Sequence, residues 1–368
     1  MSEQMYVLQT LLIAGLLLML CWRESVWLRV QILVWSIGVI SLVARFGLDE
    51  QLNFYSNDQR FYTSVVNDLS TQQYSADLDW WLNSAKLPYT LPASVLGAIG
   101  IDSSLALKAV SLICFLMLTR DVINSQIPVI LTKVSFSLFI TACGGIGMFY
   151  SLLALRETKM KLLVTRFVTT SSPATRVLMI LLIFLLRPHL AAALVAAAVI
   201  IMLWDQLQLR HRPSGLGLLG IVVLGSYVGL QLFSFGLWSQ GSSLSGIVGR
   251  PVTDSATRIA SNFVGLQFLT ARSETVEFSV NSLLLLRIMF SETIIIPTLF
   301  TAILLIRPHL ANAQSRLVLL SFSIYVGLVT NTDFNSFRQN IPFAAVMGLV
   351  ILHHLKRSPA RDFVETSN

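Results

Sequence analysis

Asp58, Arg60 and Tyr62 crowd into the stretch Asn57-Asp58-Gln59-Arg60-Phe61-Tyr62, a short way past an apolar run that ends on Arg45. Asp49 and Glu50 add two carboxylates between the run and this stretch. A carboxylate at the mouth of a membrane helix can take the proton of a sugar hydroxyl. Its aromatic neighbours Tyr55, Phe61, Tyr62, Trp80 and Trp81 can stack on sugar rings or rest at headgroup level. Asp58 is the first candidate for a base, and the Trp80-Trp81 pair reads at least as well as an interfacial anchor.

A second constellation is Leu155-Arg156-Glu157, followed by Lys159, Lys161 and Arg166. A guanidinium can hold a phosphate through two parallel hydrogen bonds. Glu157 would be a second acid or would neutralise Arg156. The lysines belong either to that site or to an amphipathic interfacial helix whose cations snorkel to water. A third is the polar stretch from Asp333 to Asn340, in which Arg338 would again face an anion. Arg287 and Glu292, inside one apolar run, are candidates for an internal ion pair.

Arg-Pro-His occurs twice, in LLRPHLAAA at 185–193 and LIRPHLANA at 305–313. Proline can break a helix and leave backbone groups to line a cavity, and a neutral His189 could act as base or donor beside Arg187. Arg307 and His309 read mainly as the cationic end of a span. The likeness between the copies hardly extends beyond these nine residues, whereas a duplicated fold would show wider self-similarity.

These residues need elements to hold them, and the composition says which. The chain of 368 residues is 54% apolar and 12% charged, with mean hydropathy +0.71, about half the charge of a soluble domain. Apolar runs at 5–22, 28–45, 103–119, 128–154, 176–204, 214–236, 282–306, 317–330 and 341–355 mostly approach the ~20 residues that cross a bilayer. Lipid cannot satisfy an open backbone, so the expected fold is all-α: a polytopic transmembrane bundle of about 9–11 helices forming one integral membrane domain. The range arises because Cys143-Gly144-Gly145 and Arg187-Pro188-His189 each sit within a long run that can split in two. The first run opens on Ser2 and Glu3 and ends without a small-residue cleavage site, so it reads as a retained span rather than a secretory signal.

Lys356, Arg357 and Arg361 follow the last run, and Arg210, His211 and Arg212 follow the run ending near 204. The inside-positive rule makes both cytoplasmic. The acidic segment after Arg45 is then external, and the outer loops fall at about 46–102, 155–175, 237–281 and 331–340. Cys21, Cys114 and Cys143 all lie in apolar runs, without the CxxC spacing of a zinc or redox site. The net charge of +7 is spread over the ends of runs and forms no basic stripe interleaved with aromatics, so nucleic acid is not an expected partner. P-loop, GxGxxG, HExxH and GxSxG motifs are absent. No cofactor is expected and no metal cluster is evident.

The order and spacing of these motifs resemble the EpsG and Wzy-like families of bacterial membrane proteins that build exopolysaccharide and O-antigen chains. The resemblance rests on Arg45 closing the second run, Asp58 and Tyr62, Leu155-Arg156-Glu157, Arg187-Pro188-His189 and Arg338-Gln339. The EpsG pattern has Arg-Gln where this chain has Arg156-Glu157, and a lone His after an aromatic where it has Arg187-Pro188-His189. More broadly the chain is similar to GT-C-type glycosyltransferases, which place an acidic residue in the first large outer loop. The resemblance implies a multi-pass protein of the bacterial inner (cytoplasmic) membrane, with its C-terminus cytoplasmic and its site on the outer face. It implies a donor sugar or oligosaccharide on a polyprenyl phosphate or diphosphate. Asp58, Asp49 and Glu157 would then be the catalytic acids, and Arg45, Tyr62, Arg156, Arg187, His189 and Arg338 would bind substrate or lipid phosphate. Implied partners are the lipid-linked glycan, membrane lipid, and a chain-length regulator or other polysaccharide-assembly proteins. A transporter or flippase for lipid-linked or anionic solutes is the competing expectation, and a non-catalytic scaffold in an envelope assembly complex is a third.

Overall fold

The structure, a computed structural model, describes residues 2–48, 56–73, 77–78, 80–81, 85–124, 148, 150–153, 156–206, 215–234, 292–308, 311–329 and 337–357. Among them every regular element is helical, in agreement with the all-α expectation. Asp49, Arg287, the segment 237–281 expected as a loop and most of the run 128–154 lie outside the described residues.

The chain divides into two compact units. The first comprises Met1–Gln126, Gly144–Leu162 and Glu274–Glu277. It is built on α1 (Glu3–Leu20), α2 (Val26–Phe46), α3 (Ser56–Ser70), α4 (Leu87–Ala98) and α5 (Ser103–Asn124). Local chemistry sets the helix ends. Ser2 and Ser25 accept hydrogen bonds from the amides of Met5 and Trp27. Asp102 takes those of Ser104 and Leu105 at 2.9 and 3.2 Å, so each side chain satisfies donors that the first helical turn leaves open. Gly47 ends α2 with φ +71°, a conformation open to glycine at little cost.

α1, α2 and α5 pack together around Tyr6, Ile13, Leu28, Ile32, Trp35, Val39, Leu105, Leu112 and Phe115. Gln9 pins α1 to the turn before α5, donating to the Gly100 carbonyl and accepting from the Asp102 amide. α3 and α4 lie against each other and against α5. The segment expected as an open outer loop at 46–102 is thus largely helical where it is described. Its polar residues recur at helical spacing, and burying Tyr62, Val65 and Val66 on one face of α3 gives that face a partner.

The second unit comprises Ile127–Cys143, Leu163–Ser273 and Phe278–Asn368. The division falls inside α6 (Glu157–Thr169), which occupies the expected loop 155–175. α7 (Pro173–Leu186), α8 (Pro188–Gln206), α9 (Gly215–Ser234), α10 (Glu292–Ile306), α11 (Ala313–Val329) and α12 (Phe337–Arg357) complete it. α11 is central, packing on α8, α9 and α12. Its Val318, Leu319, Phe322, Ile324, Tyr325 and Val326 are fully buried. Arg338 to Asn340 belong to the first turn of α12 rather than to an irregular polar turn.

The apolar run 176–204 is interrupted at Arg187, so α7 has 14 residues and α8 19. The residue before a proline is driven out of the helical region, and Arg187 has φ −156° and ψ 89°. Among the described residues, Glu3–Leu20 and Val26–Arg45 are long and apolar enough to cross a membrane. The described apolar stretches of α7 to α12 are 10–17 residues long.

Candidate functional site

In the first unit, residues far apart in sequence gather around α3. Asp58 stands in the first turn of α3, where the helix dipole favours a carboxylate, and its side chain is half-buried. Tyr62, one turn further along, is 3% exposed. The Arg156 guanidinium lies over the Tyr62 ring, 5.8 Å from its centre, within cation–π range. The Gln59 side-chain amide donates to the Leu153 carbonyl, and the Trp35 indole N–H on α2 donates to the Ser151 carbonyl at 3.4 Å. These bonds hold the chain that leads into Arg156 against α2 and α3.

Behind Tyr62 stands Tyr89 of α4, edge-on to it with ring centres 5.6 Å apart and planes at 87°. Tyr89 is wholly buried, and its hydroxyl lies 3.0 Å from Ser111 Oγ on α5. Burial pushes its pKa well above the ordinary tyrosine value. The bond to Ser111 opposes that shift, while Tyr62, Glu157 and Cys114 reinforce it. Tyr89 therefore stays a neutral O–H. Glu157 opens α6 and is fully buried, as is Lys161 one turn on. Full burial removes Lys161 from the class of snorkelling surface cations. Lys159 is half-buried, donates to the Pro88 carbonyl, and has its pKa lowered by burial, with a smaller opposing contribution from Cys114.

Lys108 on α5 is a further buried cation, fully enclosed and donating to the Tyr6 hydroxyl of α1 at 3.1 Å. Neither Lys108 nor Tyr89 was among the residues singled out from the sequence. Lys108 did carry a signal there, being an ionisable residue inside an apolar run. Tyr89 carried none beyond lying close to a helix-starting proline.

The second unit holds the other group. Arg187, at the break between α7 and α8, is 8% exposed and donates through Nη1 to the Tyr325 hydroxyl of α11 at 2.9 Å. The His189 ring stacks on Tyr325 at 5.6 Å and 11°, so Arg187 and His189 both engage one buried tyrosine, which also meets Phe343 of α12. Arg307, in the second Arg-Pro-His copy, also ends a helix but is exposed. The copies are alike in breaking a helix and unlike in burial.

The structure brings Tyr62 and Arg156 together, with Asp58 on the same helix as Tyr62 and Glu157 next to Arg156 in the chain. Arg187 and His189 form a separate group around Tyr325. Arg45 is exposed at the end of α2. Among the described residues no group of His, Cys, Asp and Glu is arranged to hold a metal ion. No family model, curated protein or solved structure matches the chain.

Proposed function

We propose that the chain is a membrane glycosyltransferase taking a polyprenyl-phosphate- or diphosphate-linked sugar or oligosaccharide at the outer face of the bacterial cytoplasmic membrane. The specific activity proposed is polymerisation of O-antigen or exopolysaccharide repeat units. The observation that carries the reading is the grouping in one unit of a half-buried carboxylate on α3 with a guanidinium from nearly a hundred residues later, braced on Tyr62. Asp58 would accept the proton of the attacking sugar hydroxyl. The hydroxyl oxygen would bond to the anomeric carbon as the bond from that carbon to the phosphate oxygen breaks. The electron pair would leave on the polyprenyl phosphate or diphosphate, and Arg156 would offset the charge developing there. Glu157, fully buried, has a better claim to position its neighbours than to meet substrate.

Reconstitution with polyprenyl-linked repeat units should give ladders of longer glycans. Asp58→Asn and Arg156→Ala should each lower the rate at least a hundredfold or so, in the range of a lost general base or charge-stabilising donor, with folded protein unchanged. Full activity in both variants would discard this site. The helix break at Arg187-Pro188 supports the competing reading, because transporters use broken helices to bind solutes. Movement of a lipid-linked or anionic solute across vesicles without glycan growth, lost on Arg187→Ala, would favour it.

A further inference from the structure

Tyr62 is 3% exposed, which leaves almost none of it for a substrate, yet it touches the half-buried Arg156 on one side and Tyr89 on the other. We infer that Tyr62 and Tyr89 are positioning residues that aim the Arg156 guanidinium at the phosphate of the donor, Tyr62 acting through its ring face rather than its hydroxyl. The inference rests on the proposed function, and it assigns to Tyr62 a different task from direct contact with substrate.

Tyr89 is wholly enclosed between α3 and α5, and its hydroxyl is tied to Ser111. A buried ring with a bonded hydroxyl has little freedom to turn. Its edge-on contact at 5.6 Å and 87° fixes the plane of Tyr62, and Phe61 meets Tyr62 as well, at 5.6 Å and 66°. The negatively polarised face of Tyr62 then supplies a seat for a cation, and Arg156 occupies it. An arginine otherwise loses much rotamer freedom when it binds an anion. Seating the guanidinium beforehand removes part of that cost, the usual gain from preorganisation.

The test measures binding of polyprenyl diphosphate to the full chain in nanodiscs, alongside thermal unfolding. Tyr62→Phe keeps the ring and should bind as the parent does, whereas Tyr62→Leu should weaken binding about tenfold, the upper part of the cation–π range. Tyr89→Phe loses the Ser111 bond and should fall between them. In an Arg156→Ala background, Tyr62→Leu should cause no further loss, since its effect passes through Arg156. Equal losses for Tyr62→Phe and Tyr62→Leu, or additive losses with Arg156→Ala, would overturn the positioning role while leaving the functional reading intact. Unchanged binding in Arg156→Ala itself would overturn both. If Tyr62→Leu unfolds, Tyr62→Trp, which retains a ring face, takes its place as a single variant. Trp should then retain binding, and a tenfold loss would count against the inference.

Discussion

Lys159 shows how a half-buried cation makes the first unit sensitive to pH. Burial holds its pKa below the ordinary 10.5, so the unfolded chain binds this proton more tightly than the folded one. Stability must then rise with pH between the lowered folded value and the unfolded one. Lys159→Met removes that dependence. The unfolding midpoint of the parent relative to Lys159→Met should therefore climb as pH rises toward the ordinary lysine value of 10.5, with the Pro88 contact contributing an offset of little pH dependence. A flat difference across that range would mean that Lys159 is solvated in the folded protein. The residue scale is also where the sequence was partly legible. Asp58, Tyr62, Arg156 and Glu157 could be picked out because charge and aromaticity stand out against an apolar background. Their partners could not, since Tyr89 lies in a segment that reads as a loop and Ser111 in an apolar run, until packing sets them face to face.

At the scale of elements, proline and glycine decide more than hydropathy does. The run 176–204 has the composition of a single span, but Pro188 forces Arg187 out of the helix and makes it two. Both outcomes were readable in the motif, and the chain took the second. The segments 46–102 and 155–175 read as loops because their charges mask helical periodicity, and helices became visible only once the buried faces of α3 and α6 had partners. A close crossing between α9 and α11 was hidden in the same way. Gly225 and Gly229 are four residues apart on α9, the small-residue spacing that lets helices approach. A Cβ on Gly229 would sit 2.1 Å from the Ile324 carbonyl oxygen, and one on Gly327 would sit 2.2 Å from that of Ser226. Backbone atoms cannot step aside. Gly229→Ala and Gly327→Ala should each destabilise by at least ~1–3 kcal/mol, as overpacking does. Gly220→Ala, on the same α9 with nothing within 4 Å of its Cβ, should instead be neutral or stabilise by up to ~1 kcal/mol. Thermal unfolding of the three variants tests the crossing, and equal effects would refute it.

At the scale of the whole molecule, the question is which solvent the two long apolar helices meet. Buried residues make up 22% of the apolar stretch of α1 and 33% of that of α2. α1 is also part of the first unit, because Tyr6, Ile13 and Ala14 pack in its core and Gln9 bonds to Gly100 and Asp102. Leu8, Leu11, Leu12 and Leu16 on α1, with Leu33, Val34 and Ile37 on α2, remain exposed. An apolar surface of that extent marks a contact with lipid or with another protein. Leu12 lies midway along α1 and is 59% exposed, while Leu20 ends the helix at 78%. In water, lysine at either exposed position would change stability by no more than ~0.5 kcal/mol. In a bilayer, Leu12→Lys should cost about 3 kcal/mol at mid-depth, and Leu20→Lys little, since its ammonium can reach the headgroups. The fraction of chain that resists alkaline extraction should accordingly fall for Leu12→Lys and hold for Leu20→Lys. Were both variants to behave as the parent, α1 would not lie in lipid, and the proposed use of a lipid-linked donor would lose its physical basis.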